Sequence, residues 1–289
     1  MNDVIDLDRR LNAFRSDLAD ARLGETVEAD HFVEGAPARI AVAVADLLSE
    51  PAEGAGLDTQ LLFGDEVLVF ERSNGFAWVQ AVHDSYVGYV ALSALGEQAS
   101  APTHVVSVPR TFIYPGPDLK RPRRDALSLG SSVKAVDLVE NRGTRYAALG
   151  GGAFIIASHL APLAEKAADF VSVAETLLFT PYLWGGASAF GIDCSGLVQL
   201  SMRRAGKAAL RDTDMQAGTI GETFSPGEDL SGLRRGDLVF WKGHVGIMTD
   251  AETLLHANGH TMMVSREKLH DAVTRIGYLY GQPVCFRRP

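Results

Sequence analysis

The stretch "WGGASAFGIDCSGLVQLSMRRAG", Trp184 to Gly206, contains one of only two cysteines in a chain of 289 residues. A glycine-rich loop precedes Cys194 and apolar residues at helical spacing follow it, which predicts a helix from Cys194 to about Ala205. The N-terminus of a helix lowers the pKa of a thiol through its unpaired backbone N–H groups and its positive dipole end. Cys194 is therefore a candidate nucleophile, with a small buried hydrophobe as the alternative interpretation.

A base for this thiol is predicted further along the chain. The segment "HVGIMTDAETLLHA" is typical of a β-hairpin with its turn at residues 250–252, which would place His244 opposite His256 on one face. One imidazole can then serve as general base while the other orients it. A zinc site of Cys194, His244, His256 and His260 is an alternative, but the spacing matches no compact zinc pattern, so we predict no metal and no cofactor.

The periodicity of the sequence divides the chain into four parts. Residues 1–36 have apolar side chains at spacings of three and four, which predicts an amphipathic helix. Residues 37–98 and 99–163 have a period of two and repeat one order of strands and turns, which predicts two tandem small β-barrels. Residues 164–289 begin with helical patterns and continue with strands, the last of them at "RIGYLY" and "PVCFRR". This order predicts an α+β domain in which helices pack on an antiparallel sheet.

Composition excludes several classes of partner. The net charge is −9 and the basic residues are scattered, apart from one "RPRR" run, so we expect no nucleic-acid partner. Neither an N-terminal signal pattern nor an apolar run of ~20 residues is present, so we expect a cytoplasmic protein without a membrane segment. In that compartment a Cys194–Cys285 disulfide is disfavoured.

Several motifs in a fixed order carry a family resemblance. The runs "PYLWGGASAFGIDCSGLVQLSMRRAG", "RDTDMQ", "LRRGDLVFWKGHVGIM" and "LLHANG" resemble the NlpC/p60 family of papain-like cysteine peptidases over about residues 165–288. The two preceding repeats resemble bacterial SH3 (SH3b) domains. The layout is similar to that of the γ-D-glutamyl-L-diamino-acid endopeptidases of murein peptide recycling, the dipeptidyl-peptidase VI type.

The resemblance implies a role for each matching residue. It makes Cys194 the nucleophile, His244 the general base and acid, and His256 the residue that orients His244. It also implies that Asp193, beside the nucleophile, holds the ammonium of a free N-terminal L-Ala, and we expect such a carboxylate to be unpaired without substrate. The further substrate-binding positions that it implies are Ser195, Tyr182, Trp184 and Thr213, together with Glu50 and Tyr86 of the first SH3b domain.

The implied activity is hydrolysis of the bond between γ-D-glutamate and an L-diamino acid. Murein-derived tri- or tetrapeptides would be the substrates, with diaminopimelate or lysine as the third residue. Two alternatives have different chemistry. One is a peptidoglycan-binding protein whose peptidase domain is inert, and the other is a papain-like amidase or acyltransferase.

Overall fold

The computed structural model describes residues 7–96 and 101–289, which form two compact units. The first unit comprises the described residues up to 161, except 107–110 and 128–130. Those two short segments belong with residues 162–289 to the second unit. In the described part of the chain no helix is long and apolar enough to cross a membrane.

The first unit is built almost entirely of strands. Its N-terminal half contains β1 (Leu18–Asp20), β2 (His31–Val33), β3 (Ala36–Ile40), β4 (Val44–Leu48), β5 (Leu57–Leu62), β6 (Glu66–Ser73), β7 (Phe76–Ala81), β8 (Val87–Ala91) and β9 (Leu95–Gly96). Its C-terminal half contains β10 (His104–Val106), β11 (Arg110–Ile113), β12 (Asp125–Ser128), β13 (Ser132–Val133), β14 (Asp137–Asn141), β15 (Thr144–Gly150), β16 (Ala153–Ile156) and β17 (Leu160–Pro162). A short 3₁₀ turn precedes both β9 and β17.

The two halves pair their strands in the same order. In the first, β3 lies between β6 and β9, β4 pairs with β5 and β8, and β6, β7 and β8 follow one another as a meander. In the second, β10 lies between β13 and β17, β11 pairs with β12, and β14, β15 and β16 form the meander. An isolated bridge between Tyr114 and Phe154 joins the β11 end to β16, as β4 joins β8. The predicted internal repeat, and with it the second small β-barrel, stays a prediction.

The predicted helix at residues 1–36 is wrong over its described part, residues 7–36, which contain two short parallel strands and a 3₁₀ turn. The apolar side chains pack instead against strands of the N-terminal half, where Ala13 forms a buried cluster with Phe70 of β6 and Trp78 of β7. The backbone carbonyls of Arg10 and Leu11 accept hydrogen bonds from the Val87 N–H and the Gln80 side chain. Tertiary partners therefore satisfy backbone groups that a helix would have paired internally.

The second unit combines four helices with one main sheet. Its elements are α1 (Phe170–Glu175), β18 (Ala187–Ser188), β19 (Gly191–Ile192), α2 (Cys194–Arg204), α3 (Thr213–Thr219), β20 (Glu222–Thr223), β21 (Leu238–Trp241), β22 (His244–Met248), β23 (Thr253–Asn258), β24 (Met263–Lys268), α4 (Leu269–Tyr280) and β25 (Cys285–Arg288). The sheet order is β20-β25-β21-β22-β23-β24, and its paired strands are antiparallel. Helix α2 packs against β22 and β23. The predicted α+β class is confirmed.

Helix α2 is buried nearly all round. The side chain of Asp193 caps its N-terminus by accepting from the Gly196 N–H, and the chain leaves the helix at Gly206, where φ is +71°. Every residue from Cys194 to Met202 is buried. A helix that is enclosed in this way holds its first residue in a fixed position relative to the sheet.

The second unit differs from the prediction at two places, one predicted strand that is a helix and one helix that was not predicted. The strand predicted at "RIGYLY" is wrong, because these residues continue α4, whose buried face is Leu269, Ala272 and Ile276. That spacing is helical, and Gly281 at φ +80° ends the helix. The tyrosines that suggested a strand are exposed; Tyr278 is 90% accessible. Helix α3, which begins at Thr213, was not predicted.

Candidate active site

Cys194 is the first residue of α2, as predicted, and its sulfur faces the start of β22. The backbone N–H of Val245, the residue after His244, donates to Sγ, and Thr213 Oγ1 lies 4.0 Å from it. Burial, together with the nearby Asp193 carboxylate, raises the pKa of the Cys194 thiol to about 11. Desolvation of the sulfur thus acts against the lowering effect that we expect from the helix N-terminus. Cys194 and Cys285 are both free cysteines.

The two histidines of the hairpin meet, although not in the predicted register. Ile247 pairs with Leu255, so Gly246 is the residue opposite His256 and His244 is its diagonal neighbour. Because the difference is two residues, both imidazoles stay on the same face of the sheet. His244 Nε2 lies 2.8 Å from His256 Nδ1.

Burial governs the charge of His244. Burial, together with the neighbouring His256 and Arg275, lowers the pKa of His244 to about 3 against the opposing effect of Glu267. His256 is fully buried, at 0% exposure. These shifts favour a neutral Cys194 thiol and a neutral His244 imidazole before substrate binds.

Glu267 is a site residue that the sequence analysis missed. Its Oε1 lies 2.7 Å from Nε2 of His256, and Arg275 on α4 donates to the same carboxylate. Hydrogen bonds from His256 and Arg275 outweigh the effect of partial burial and lower the pKa of Glu267 to about 2. Strand β24 continues to Lys268 and keeps Glu267 on the same face of the sheet as His256. The only sign of this in the sequence is that Glu267 lies two residues after Ser265, the partner of His256, and so on the same face of the strand.

Asp193 does not have the free carboxylate that we expected. Its Oδ2 accepts from Arg211 at 2.6 Å and from the Gly185 N–H at 3.0 Å. Its Oδ1 accepts from the Gly196 N–H at 2.7 Å, from Arg211 at 3.1 Å and from the Ser195 hydroxyl at 3.3 Å. The expectation that this carboxylate is unpaired without substrate is wrong, because the fully enclosed Arg211 of "RDTDMQ", 1% exposed, neutralises it.

The other predicted residues of this unit have different degrees of access. Ser195 is buried, and its Oγ accepts from Arg211 at 2.7 Å. Tyr182 is half-buried, and burial together with the nearby Cys194 and Asp193 raises its pKa to about 12. Trp184 is 73% exposed. Cys194, Asp193, Ser195, Thr213 and Tyr182 thus belong to one neighbourhood; no metal cluster of His, Cys, Asp or Glu occurs among the described residues.

The two remaining predicted residues belong to the first unit. Glu50 is exposed in the loop between β4 and β5. Tyr86 is buried just before β8, and its backbone N–H donates to Asp84. Their predicted contribution to substrate binding stays a prediction.

Comparison with known proteins agrees with the geometry of the cysteine and the hairpin. The pattern of the NlpC/P60 family matches residues 179–276, which include Cys194, His244, His256 and Glu267. This part of the chain is an NlpC/P60 domain. Residues 47–95 match the bacterial dipeptidyl-peptidase Sh3 domain. One SH3 domain is therefore confirmed, and the second stays a prediction.

Two curated proteins and one solved structure are similar to this chain over most of its length. The γ-D-glutamyl-L-lysine dipeptidyl-peptidase of Bacillus subtilis is 28% identical over 70% of this chain and 72% of its own length. Dipeptidyl-peptidase 6 of Lysinibacillus sphaericus is 26% identical over 82% of this chain and 97% of its own. A crystal structure of an NlpC/P60 family protein from Bacillus cereus superposes with a TM-score of 0.73 at 20% identity, covering 88% of this chain and 99% of that one. The last of these shows the shared fold, and the two dipeptidyl-peptidases support a peptidase.

Proposed function

We propose that this protein is a cysteine endopeptidase that hydrolyses the bond between γ-D-glutamate and the L-diamino acid of murein-derived peptides with a free N-terminal L-Ala. The observation that carries the proposal is Cys194 at the start of α2, with the paired His244 and His256 on the hairpin beside it. The names of the Bacillus subtilis and Lysinibacillus sphaericus relatives support the peptide substrate. The proposed role is cytoplasmic peptide recycling.

The reaction begins from the neutral pair. As the sulfur of Cys194 attacks the γ-glutamyl carbonyl, His244 removes the thiol proton, and the C–S bond forms as the carbonyl π bond opens. The backbone N–H of Cys194, at the helix start, would stabilise the oxyanion, an interaction worth ~3 kcal/mol in comparable sites. His244 then returns the proton to the leaving amine, which departs as the C–N bond breaks.

Water completes the cycle. It attacks the thioester carbonyl while His244 takes its proton, and the γ-glutamyl carboxylic acid leaves as the proton returns to the sulfur. His256 keeps the His244 ring in position through both halves of the reaction, because their nitrogens lie 2.8 Å apart.

Substrate recognition is proposed with a changed role for Asp193. The Asp193 carboxylate already accepts five hydrogen bonds, so it has no lone pair left for the substrate ammonium. The resemblance still assigns the amine end of the substrate to Glu50 and Tyr86, and we give Asp193 the role of holding the loop at the helix start. Tyr182, Trp184 and Thr213 retain their proposed contacts with substrate.

The activity is tested with the purified protein and L-Ala-γ-D-Glu-diaminopimelate, alongside the corresponding L-Lys peptide. We expect release of the dipeptide L-Ala-D-Glu, loss of all hydrolysis in Cys194→Ala, and retention in the matched control Cys285→Ala. Equal hydrolysis by Cys194→Ala would refute the mechanism. The ratio of kcat/KM for the two peptides identifies the preferred third residue.

The free amine is tested separately by N-acetylation of the same peptide. We expect kcat/KM to fall at least tenfold, which corresponds to the loss of about 1.4 kcal/mol of transition-state binding. The Glu50→Gln variant should lose the same discrimination against the acetylated peptide. An unchanged ratio in that variant removes Glu50 from the proposed site.

A further inference from the structure

The chain of short contacts behind Cys194 extends two residues beyond the histidine pair. His244 Nε2 lies 2.8 Å from His256 Nδ1, and His256 Nε2 lies 2.7 Å from Glu267 Oε1. Arg275 donates to the same Glu267 oxygen. These four side chains come from three strands and one helix of the second unit, so the tertiary fold assembles them.

The protonation of this chain follows from its far end. His256 and Arg275 lower the pKa of Glu267, so its carboxylate is ionised and can only accept hydrogen bonds. Nε2 of His256 is buried, lies 2.7 Å from this carboxylate and has no other polar partner among the described residues, so we take it to carry the proton. In a neutral imidazole the other nitrogen is then bare, so Nδ1 of His256 accepts from Nε2–H of His244.

The last step reaches the reacting atom. With the proton of His244 on Nε2, the bare nitrogen of that ring is Nδ1, and only a bare nitrogen can accept the thiol proton. We infer that Glu267 is a positioning residue that sets the tautomers of both histidines and leaves His244 Nδ1 as the base for Cys194. This inference rests on the proposed thiol chemistry but on no particular peptide substrate.

Charge supports the same assignment. When His244 takes the thiol proton it becomes an imidazolium, and the groups that face it are His256, Arg275 and Glu267. Of these Glu267 alone carries a negative charge, and Arg275 opposes it. Replacement of Glu267 by a neutral side chain would leave the Arg275 cation to act on the forming imidazolium without compensation.

The tautomers can be read directly from the full-length protein. Histidine labelled with ¹⁵N distinguishes a bare ring nitrogen from a protonated one by its chemical shift and its couplings to the ring protons. At pH 7 we expect both His244 and His256 to be protonated on Nε2 alone. A His256 proton on Nδ1, or a His256 cation, overturns the inference.

The consequence for the thiol is measured with iodoacetamide, which needs no substrate. Alkylation of Cys194, quantified by mass spectrometry separately from Cys285, should be at least tenfold slower at pH 7 in Glu267→Gln. Across a pH series its half-maximal point should move to higher pH. Glu252→Gln is the matched control, because Glu252 forms an exposed ion pair with Lys268 of the same strand as Glu267, and its rate should stay within twofold of the wild type.

A double variant separates positioning from a simple loss of ion pairing. If Glu267→Gln acts only by leaving Arg275 unpaired, Glu267→Gln/Arg275→Gln restores the rate and overturns the inference. We expect the double variant to remain slow, because His256 still lacks its acceptor carboxylate. Correct tautomers and alkylation rates with no peptide cleavage would refute the proposed function and leave this inference standing.

Discussion

The sulfur of Cys194 experiences two opposing electrostatic influences. The start of α2 and the N–H of Val245 favour the thiolate, while burial and the Asp193 carboxylate disfavour it. Burial has the larger effect and raises the pKa of the thiol, and burial also lowers the pKa of His244. In the proposed mechanism, therefore, the nucleophile forms by proton transfer during attack, and the neutral form of His244 is the one that reacts.

This charge state predicts a broad acid limb for hydrolysis. The base must be unprotonated, and a pKa of about 3 keeps His244 unprotonated throughout the mildly acidic range. We expect kcat/KM to be nearly constant between about pH 5 and 8, whereas a histidine with the ordinary pKa of about 6.5 would lose most activity at pH 5. A profile measured in a constant-ionic-strength buffer tests this, and a half-maximal point near pH 6.5 would contradict it.

The enclosed pair of Arg211 and Asp193 gives a prediction for stability. Removing only the cation, in Arg211→Leu, leaves a buried carboxylate uncompensated and should lower the free energy of unfolding by about 3–5 kcal/mol. The double variant Arg211→Leu/Asp193→Asn should recover part of this loss. Arg266→Leu is the control, because its ion pair with Glu175 is exposed and should contribute less than about 1 kcal/mol. Urea unfolding followed by tryptophan fluorescence measures all three.

At the scale of elements, the glycine-rich loop allows backbone to approach the start of α2 closely. A Cβ on Gly196 would lie 2.3 Å from the Gly186 carbonyl oxygen, and one on Gly186 would lie 2.6 Å from that of Gly191. Both distances are far shorter than a side-chain carbon tolerates. The glycines therefore set how near the loop lies to the helix that holds Cys194.

A pair of glycine substitutions tests this packing. Gly196→Ala should force the loop away from α2, destabilise the protein by about 1–3 kcal/mol and lower kcat more than tenfold. Gly218→Ala is matched to it, since Gly218 is also helical but has open space around its Cβ position. That variant should be active and more stable by up to about 1 kcal/mol. Equal effects of the two substitutions would show that the close approach is unimportant.

At the scale of the whole molecule, a hydrogen bond between backbone groups connects the N-terminal and C-terminal halves of the first unit. The Ser132 N–H donates to the Phe63 carbonyl, and the adjacent Gly64, at φ +83°, has no room for a side chain because its Cβ would lie 2.2 Å from Ser132 O. Gly64 thus combines a positive φ, which residues with a side chain rarely adopt, with a close backbone contact at this junction.

Gly64→Ala combines strain with crowding and should cost about 3 kcal/mol or more of stability in the first unit. Gly75→Ala is its control, because Gly75 has φ +85° and an open Cβ position. We expect that control to cost only about 1–2 kcal/mol. Thermal unfolding of both variants, measured by circular dichroism, tests whether the junction tightens the first unit.

Prediction from sequence succeeded where local pattern and burial agree. The helix at Cys194 and the hairpin strands combine apolar periodicity with flanking turn residues, and both form. It failed for residues 7–36 and 275–280, where a pattern of apolar residues is compatible with more than one backbone conformation. In both segments the choice depended on which surface covered the apolar side chains.

By itself the sequence determined the class of fold, the position of Cys194 at a helix start, and the fact that His244 and His256 share a face. These follow from local periodicity and from the parity of a hairpin. Only the tertiary structure decided the charges and the partners: Arg211 on Asp193, Glu267 behind His256, and the burial that keeps the thiol and the imidazole neutral. Desolvation and contacts between distant segments exist only after the chain has packed, so they cannot be predicted from a local sequence pattern.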